Sequence, residues 1–171
     1  YQFAIEEINN SSLILPNTEI RLEIFTSSSL TENLLGMINF AERGFSLVCG
    51  NEFSSMSVST GILGTVYGVA QLSGMASTDA LSDKITYPYF SRIVGPADGQ
   101  VLALIETLKY FEQIQGLGWT DVAIAASADE YGTDFASHFI LNGEQNGIQI
   151  LTYRTIIDRD ISIFGELQEI K

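Results

Sequence analysis

The sequence predicts an α/β fold built as two successive blocks, and three observations lead there. Helix-like and strand-like periodicities alternate along the chain. The strand candidate "DVAIAAS" (121–127) is a continuous apolar run of the kind found in parallel sheets covered on both faces. Between the blocks lies "ALSDKITYPYFSRIV" (80–94), which begins as a polar turn and ends as an aromatic, β-branched strand. Strands alternating with helices of this length imply parallel sheets and right-handed crossovers. A chain of 171 residues can supply one domain or two small lobes.

Each element has its own signal. Phe3, Ala4, Ile5 and Ile8 share a helix face, so 1–10 is a helix, and Pro16-Asn17 marks a turn. "EIRLEIF" (19–25) alternates polar and apolar residues as a half-covered strand does. In "LTENLLGMINFAERG" (30–44), Leu34, Met37, Ile38 and Ala41 share a face and Gly44 is a helix stop. "FSLVCG" (45–50) is a short strand, with Cys49 expected to be a buried small hydrophobe. Serine-rich "SSMSVS" leads into an uncharged, glycine-rich helix reaching to about 71. Its uninterrupted apolar pieces fall short of the roughly 20 residues a membrane span requires.

The second block opens with a helix over 97–115, where Val101, Leu104, Ile105, Leu108 and Phe111 recur at helical spacing. The strand 121–127, a helix over 133–147 closed by glycine and a strand over 148–156 follow. The chain starts within a helix and ends at "GELQEIK" with another in progress, so it reads as a fragment.

Composition excludes several functions. The chain is 46% hydrophobic and 17% charged, which forms a core. Eight basic and 21 acidic residues give a net charge of −13, a field that repels phosphate backbones and argues against nucleic acid as a partner. One cysteine forms no disulfide framework and leaves the compartment open. No G-x-G-x-x-G follows a strand, and there is no P-loop, nucleophile elbow or H-E-x-x-H. His138, the only histidine, falls mid-helix as a partly exposed or packed residue. The carboxylates Asp129/Glu130/Asp134 and Asp158/Asp160 read as helix caps and solvated loops, not as a metal site. No catalytic residue, metal or cofactor is expected, and the chain is not read as an enzyme.

"ALSDKITYPYFSRIV", then "DGQ" and "GWTDVAIAASADEYG", carry a resemblance. In this order they resemble the receptor family ligand-binding region, the type I periplasmic-binding-protein-like module. It is shared by extracellular domains of class C G-protein-coupled receptors, natriuretic-peptide receptors and bacterial amino-acid-binding proteins. The resemblance spans nearly the whole chain. It implies two doubly wound lobes with parallel sheets and ligand in the cleft between them: 1–94 would be lobe 1 without its first strand, and 95–171 the beginning of lobe 2. The Gly95-Pro96 pair would then lie at a hinge.

Ligands of open α/β sheets bind beyond the carboxyl ends of the strands. Ser54, Ser55 and Ser57 follow such an end, where a helix N-terminus favours an anion. In amino-acid-binding relatives the matching serines hold the ligand's α-carboxylate; N-capping is the other reading, and one serine can do both. Ser77 and Thr78 resemble a pair that grips the ligand's amino and carboxylate groups, or form a turn. Asp98 stands where some relatives bind an ammonium, or caps a helix starting at Gly99. Tyr131 matches a tyrosine that stacks over ligand, or packs on its own lobe. Met75, where amino-acid receptors carry a small hydroxyl residue, and the long link "KYFEQIQGLGW" depart from the family. Asn9 and Asn10 each begin a glycosylation sequon.

Three functions are therefore weighed. The first is part of a receptor ectodomain at the extracellular face of the cell membrane, binding a small amino-acid-like ligand and forming a homo- or heterodimer through lobe 1. The second is a free periplasmic solute-binding protein of a transporter. The third is a dimerisation or peptide-binding ectodomain that takes no small molecule.

Overall fold

The computed structural model describes residues 2–116 and 119–157. The chain runs through α1 (Gln2–Asn9), α2 (Leu30–Glu42), β1 (Leu47–Cys49), α3 (Ser54–Tyr67), β2 (Ala70–Ser73), a 3-10 turn (Asp79–Ser82) and β3 (Phe90–Arg92). It continues through α4 (Ala97–Gln115), β4 (Asp121–Ser127), α5 (Glu130–Gln145) and β5 (Gln149–Ile156). The strands form two separate parallel sheets, ordered β1-β2-β3 and β4-β5. The α/β class with parallel sheets is therefore as the sequence predicts.

In the first sheet, β1 and β2 are joined through α3, with Leu47, Val48 and Cys49 opposite Ala70, Gln71 and Leu72. Helix α3 carries no charge and packs on α2, β2, the 3-10 turn and α5, leaving Ile62, Val66 and Tyr67 exposed. Its glycines admit the neighbours. A Cβ on Gly64 would lie 2.7 Å from the carbonyl oxygen of Val69 and 3.2 Å from Met37, and one on Gly61 would lie 3.0 Å from the Tyr87 ring. The buried polar groups of α3 are used. Asn51 donates to the Thr60 hydroxyl at 3.1 Å, Gln71 donates to the Gly50 carbonyl at 2.9 Å, and Ser57 and Ser73 both donate to the Asn51 carbonyl. Ala76, Leu81, Tyr87 and Phe90, with Val58 against them, form the apolar core beside this sheet.

In the second sheet, α4 and α5 pack on each other, and Val101, Ile105, Phe139 and Ile148 close a second core against Val122, Ile124 and Ile150. Helix α5 is capped by Asp129, whose carboxylate accepts the Gly132 N–H at 3.0 Å. It therefore begins three residues before the predicted start, on the carboxylate that the sequence marks as a cap.

The structure corrects four expectations. Residues 19–25 are not a strand. The N–H and C=O of Ile20 are taken by the Asn9 amide, each at 2.9 Å, and Phe25 turns its edge to Phe40 of α2. Alternation announces a face to be covered; it does not supply a neighbouring strand. Second, the uncharged helix does not reach 71. It ends at Gly68, which adopts φ +70° and donates to the Gly64 carbonyl, and the chain re-enters the sheet as β2. Absence of charge has no period, so helix and strand merged in the sequence. Third, Cys49 is exposed. It lies on β1, an outer strand whose other edge pairs with no strand among the described residues. Fourth, β4 is only partly covered: none of its residues is fully buried, and Asp121, Ala125 and Ser127 are exposed. The stretch 165–171 and Asp158/Asp160 lie outside the described residues.

Candidate functional site

Where β2 ends, Ser73 turns the chain by accepting the N–H of Ala76 at 3.0 Å. This brings Ser77 and Thr78 against the start of α3, where the Thr78 N–H reaches the Ser54 hydroxyl at 3.4 Å. Ser54, Ser77 and Thr78 are all at least 97% buried. The carbonyl of Ser77 accepts the N–H of Ala97 at 2.8 Å, which ties this loop to the first residue of α4. From the end of β3, Arg92 clamps the loop by donating to the carbonyls of Thr78 at 2.8 Å and Ala76 at 3.3 Å and to the Ser82 hydroxyl. Burial lowers the pKa of this guanidinium from its ordinary value, and the charges of Asp79 and Asp134 act against that.

The hydroxyls do not cap α3. Its N-cap is Phe53, without a side-chain bond; Ser54 is already helical and buried, and half-buried Ser55 has its carbonyl bonded by Ser59. The Ser77 hydroxyl is buried with no hydrogen-bond partner among the described residues. Such a group costs free energy unless something else satisfies it.

Asp98 does not cap α4 either. The helix starts at Ala97 after Pro96, and Asp98 lies in its first turn. Its carboxylate faces α5, 3.4 Å from the Asn142 amide and 3.6 Å from His138 Nδ1. Tyr131, in the first turn of α5, lies elsewhere. It lines a groove of about 340 Å³ over β4, together with Leu104, Ile124, Phe135 and Phe139. The structure thus gathers Ser54, Ser77 and Thr78, with Asp98 one residue beyond their link to α4. Tyr131 lines an apolar surface that those hydroxyls do not share.

A second group was not read from the sequence. His138 Nε2 lies 2.9 Å from Asp79 Oδ2 and 3.6 Å from Asp134 Oδ1. Asp134 also accepts the Asp79 N–H at 2.8 Å. Three carboxylates therefore surround one imidazole where the 3-10 turn, α4 and α5 meet. The legible half was Asp134-x-x-x-His138, an i,i+4 pair on one helix face; nothing local announces that Asp79 meets it.

Comparison with known proteins agrees with this architecture. The family model described as "Receptor family ligand binding region" matches residues 1–171. The taste receptor type 1 member 3 of Canis lupus familiaris is 30% identical over 167 residues, covering 87% of this chain and 19% of the relative. The human protein of that name is 29% identical over the same shares. A probable metabotropic glutamate receptor of Caenorhabditis elegans is 33% identical over 109 residues, 64% of this chain and 10% of the relative. The chain spans about a fifth of the length of the taste receptors it matches. These relatives are receptors rather than enzymes, and with a match along its whole length this chain belongs to the receptor family ligand-binding region.

Proposed function

We propose that the chain is part of the extracellular ligand-binding region of a membrane receptor. Residues 1–94 and 95–171 would contribute to two lobes that close on a small polar ligand such as an amino acid or a derivative. The observation that carries this reading is the buried, unpartnered Ser77 hydroxyl, set beside Ser54 and Thr78 beyond the end of β2. Parallel α/β sheets bind ligands at that end of their strands. A ligand carboxylate or ammonium there would satisfy the stranded hydroxyl, and Asp98 stands one residue past the backbone link from Ser77 to α4. Closure follows ligand only to the extent that the closed form binds it better; about 5.5 kcal/mol of differential affinity carries a 1:99 equilibrium to 99:1.

In this reading the parent protein lies in the membrane with the module outside the cell. Among the described residues no helix is long and apolar enough to cross a membrane. Of the two sequons, the Asn9 amide is held by Ile20, which leaves Asn10 as the better glycan acceptor. The exposed apolar residues Leu35 of α2 and Ile62 and Val66 of α3 support pairing with a second receptor chain through this part of the fold.

Calorimetric titration of the complete ectodomain with a panel of amino acids tests the proposal. Saturable binding that weakens at least about 10-fold in Ser77→Ala is expected. A folded ectodomain that gives no heat with any member of the panel overturns the amino-acid reading.

A further inference from the structure

The group at the junction of the two sheets suits something other than an organic ligand. Asp79 Oδ2, Asp134 Oδ1 and His138 Nε2 offer one donor atom each, and all three lie within 4.8 Å of one another. The two separations to the imidazole nitrogen, 2.9 Å and 3.6 Å, bracket the value of about 3.3 Å expected between ligands of a tetrahedral zinc ion with bonds of about 2.0–2.2 Å. Each side chain is about a quarter to a third exposed, so an ion has access without full dehydration.

Two further observations favour a cation at this group. The second oxygen of Asp79, Oδ1, is buried with no hydrogen-bond partner among the described residues. A carboxylate oxygen stranded in this way lacks the donor or ion contact that would make its burial tolerable. Asp98 Oδ1, meanwhile, lies 3.6 Å from Nδ1, the other nitrogen of the same imidazole. Metal-bound histidines commonly donate their second N–H to a carboxylate, which fixes the tautomer and directs the free lone pair at the metal. Charge agrees with this arrangement. Asp79 and Asp134 act on one guanidinium, that of Arg92, and Asp98 adds a third carboxylate beside the imidazole, so carboxylates outnumber the guanidinium three to one at this junction.

We propose that Asp79, Asp134 and His138 form a binding site for a divalent transition metal of the zinc class, with Asp98 orienting the imidazole. The metal lies between His138 Nε2 and the two carboxylate oxygens, and a water or a ligand donor atom completes its tetrahedron. Because Asp79 belongs to the loop after β2 and the other two ligands to α5, a bound ion ties the two sheets' surroundings together. The site goes beyond the proposed ligand reading and is tested without any organic ligand, so either can fail alone.

The test is equilibrium dialysis of the full chain against zinc alone, with cobalt substitution followed by visible spectroscopy. One ion per chain and the intense visible bands of tetrahedral cobalt are expected. His138→Gln and Asp79→Asn should each weaken binding by more than about 100-fold, and Asp98→Asn, which retains all three ligands, by about 10–100-fold. Glu106→Gln, in an exposed pair with Lys109 on α4, controls for the acidic surface and should bind as wild type. Should either ligand variant fail to fold, the cobalt spectrum of the wild type and the Asp98→Asn affinity decide. No bound zinc, a pale octahedral cobalt spectrum, or equal affinity in Asp98→Asn and wild type overturns the site.

Discussion

The carboxylate of Asp134 accepts the backbone N–H of Asp79 at 2.8 Å, a contact between residues 55 positions apart. It joins the loop leaving the first sheet to the helix between the strands of the second. A hydrogen bond to a charged acceptor in a partly buried position contributes about 1.5–3 kcal/mol. Asp134→Ala should lower stability by that amount in urea denaturation of chelator-treated protein. Asp134→Asn keeps an acceptor and should lose less; equal losses would show that the charge, not the acceptor, is what matters.

Ser77→Ala should behave in the opposite way. Its hydroxyl has no partner to lose, so removing it leaves the unfolding midpoint unchanged or raises stability by up to about 1 kcal/mol. A variant that is at least as stable as wild type, yet weaker in the amino-acid titration, separates a binding role from a structural one. A clear loss of stability would mean that the hydroxyl is satisfied in solution.

Two glycines give a matched contrast. A Cβ on Gly132 would lie 2.3 Å from both the carbonyl oxygen and the hydroxyl of Ser127, and 2.6 Å from its nitrogen. Backbone cannot yield to that extent cheaply, so Gly132→Ala should cost about 3 kcal/mol and open the contact between α5 and β4. On Gly99, in the first turn of α4, a Cβ meets nothing within 4 Å. Gly99→Ala should stabilise by about 0.5–1 kcal/mol through a less flexible unfolded chain. Thermal melts of the two variants check both signs.

Asp129 makes the cap of α5 sensitive to acid. Burial raises its pKa, but the bonds it accepts from the Ser127 hydroxyl and the Gly132 N–H outweigh burial and hold it below the ordinary 3.8. A folded-state value below the unfolded one adds stability that is present above about pH 4 and is lost as pH falls through the folded value. Asp129→Ala should therefore cost about 1 kcal/mol at neutral pH and progressively less in acid. Asp129→Asn should retain much of the cap without the pH dependence. Denaturation curves at pH 7 and pH 3 distinguish them.

What the sequence announced was what repeats locally. Val101, Ile105 and Leu108 recur at helical spacing, and α4 occupies 97–115 as that spacing predicts. "DVAIAAS" became β4 over the same seven residues. β2 was concealed because 53–78 carries no charge, so neither a polar face nor a boundary stands out; only Gly68 marked the change. Of the binding candidates, Ser54, Ser77 and Thr78 were named through resemblance and do meet in space. Asp79 and His138 were passed over because each has an ordinary local explanation, a turn residue and a helix-face histidine. Their meeting depends on how α5 packs near the 3-10 turn, which no short-range pattern encodes.

The exposed thiol on β1 has a practical consequence. Cys49 is the chain's sole cysteine and Trp119, packed tilted against Phe111 just ahead of β4, its sole tryptophan. A maleimide acceptor dye on the one and the natural indole emission of the other form a donor–acceptor pair, with one member in each half of the fold. Energy transfer between them reports displacement of one sheet relative to the other without any engineered residue.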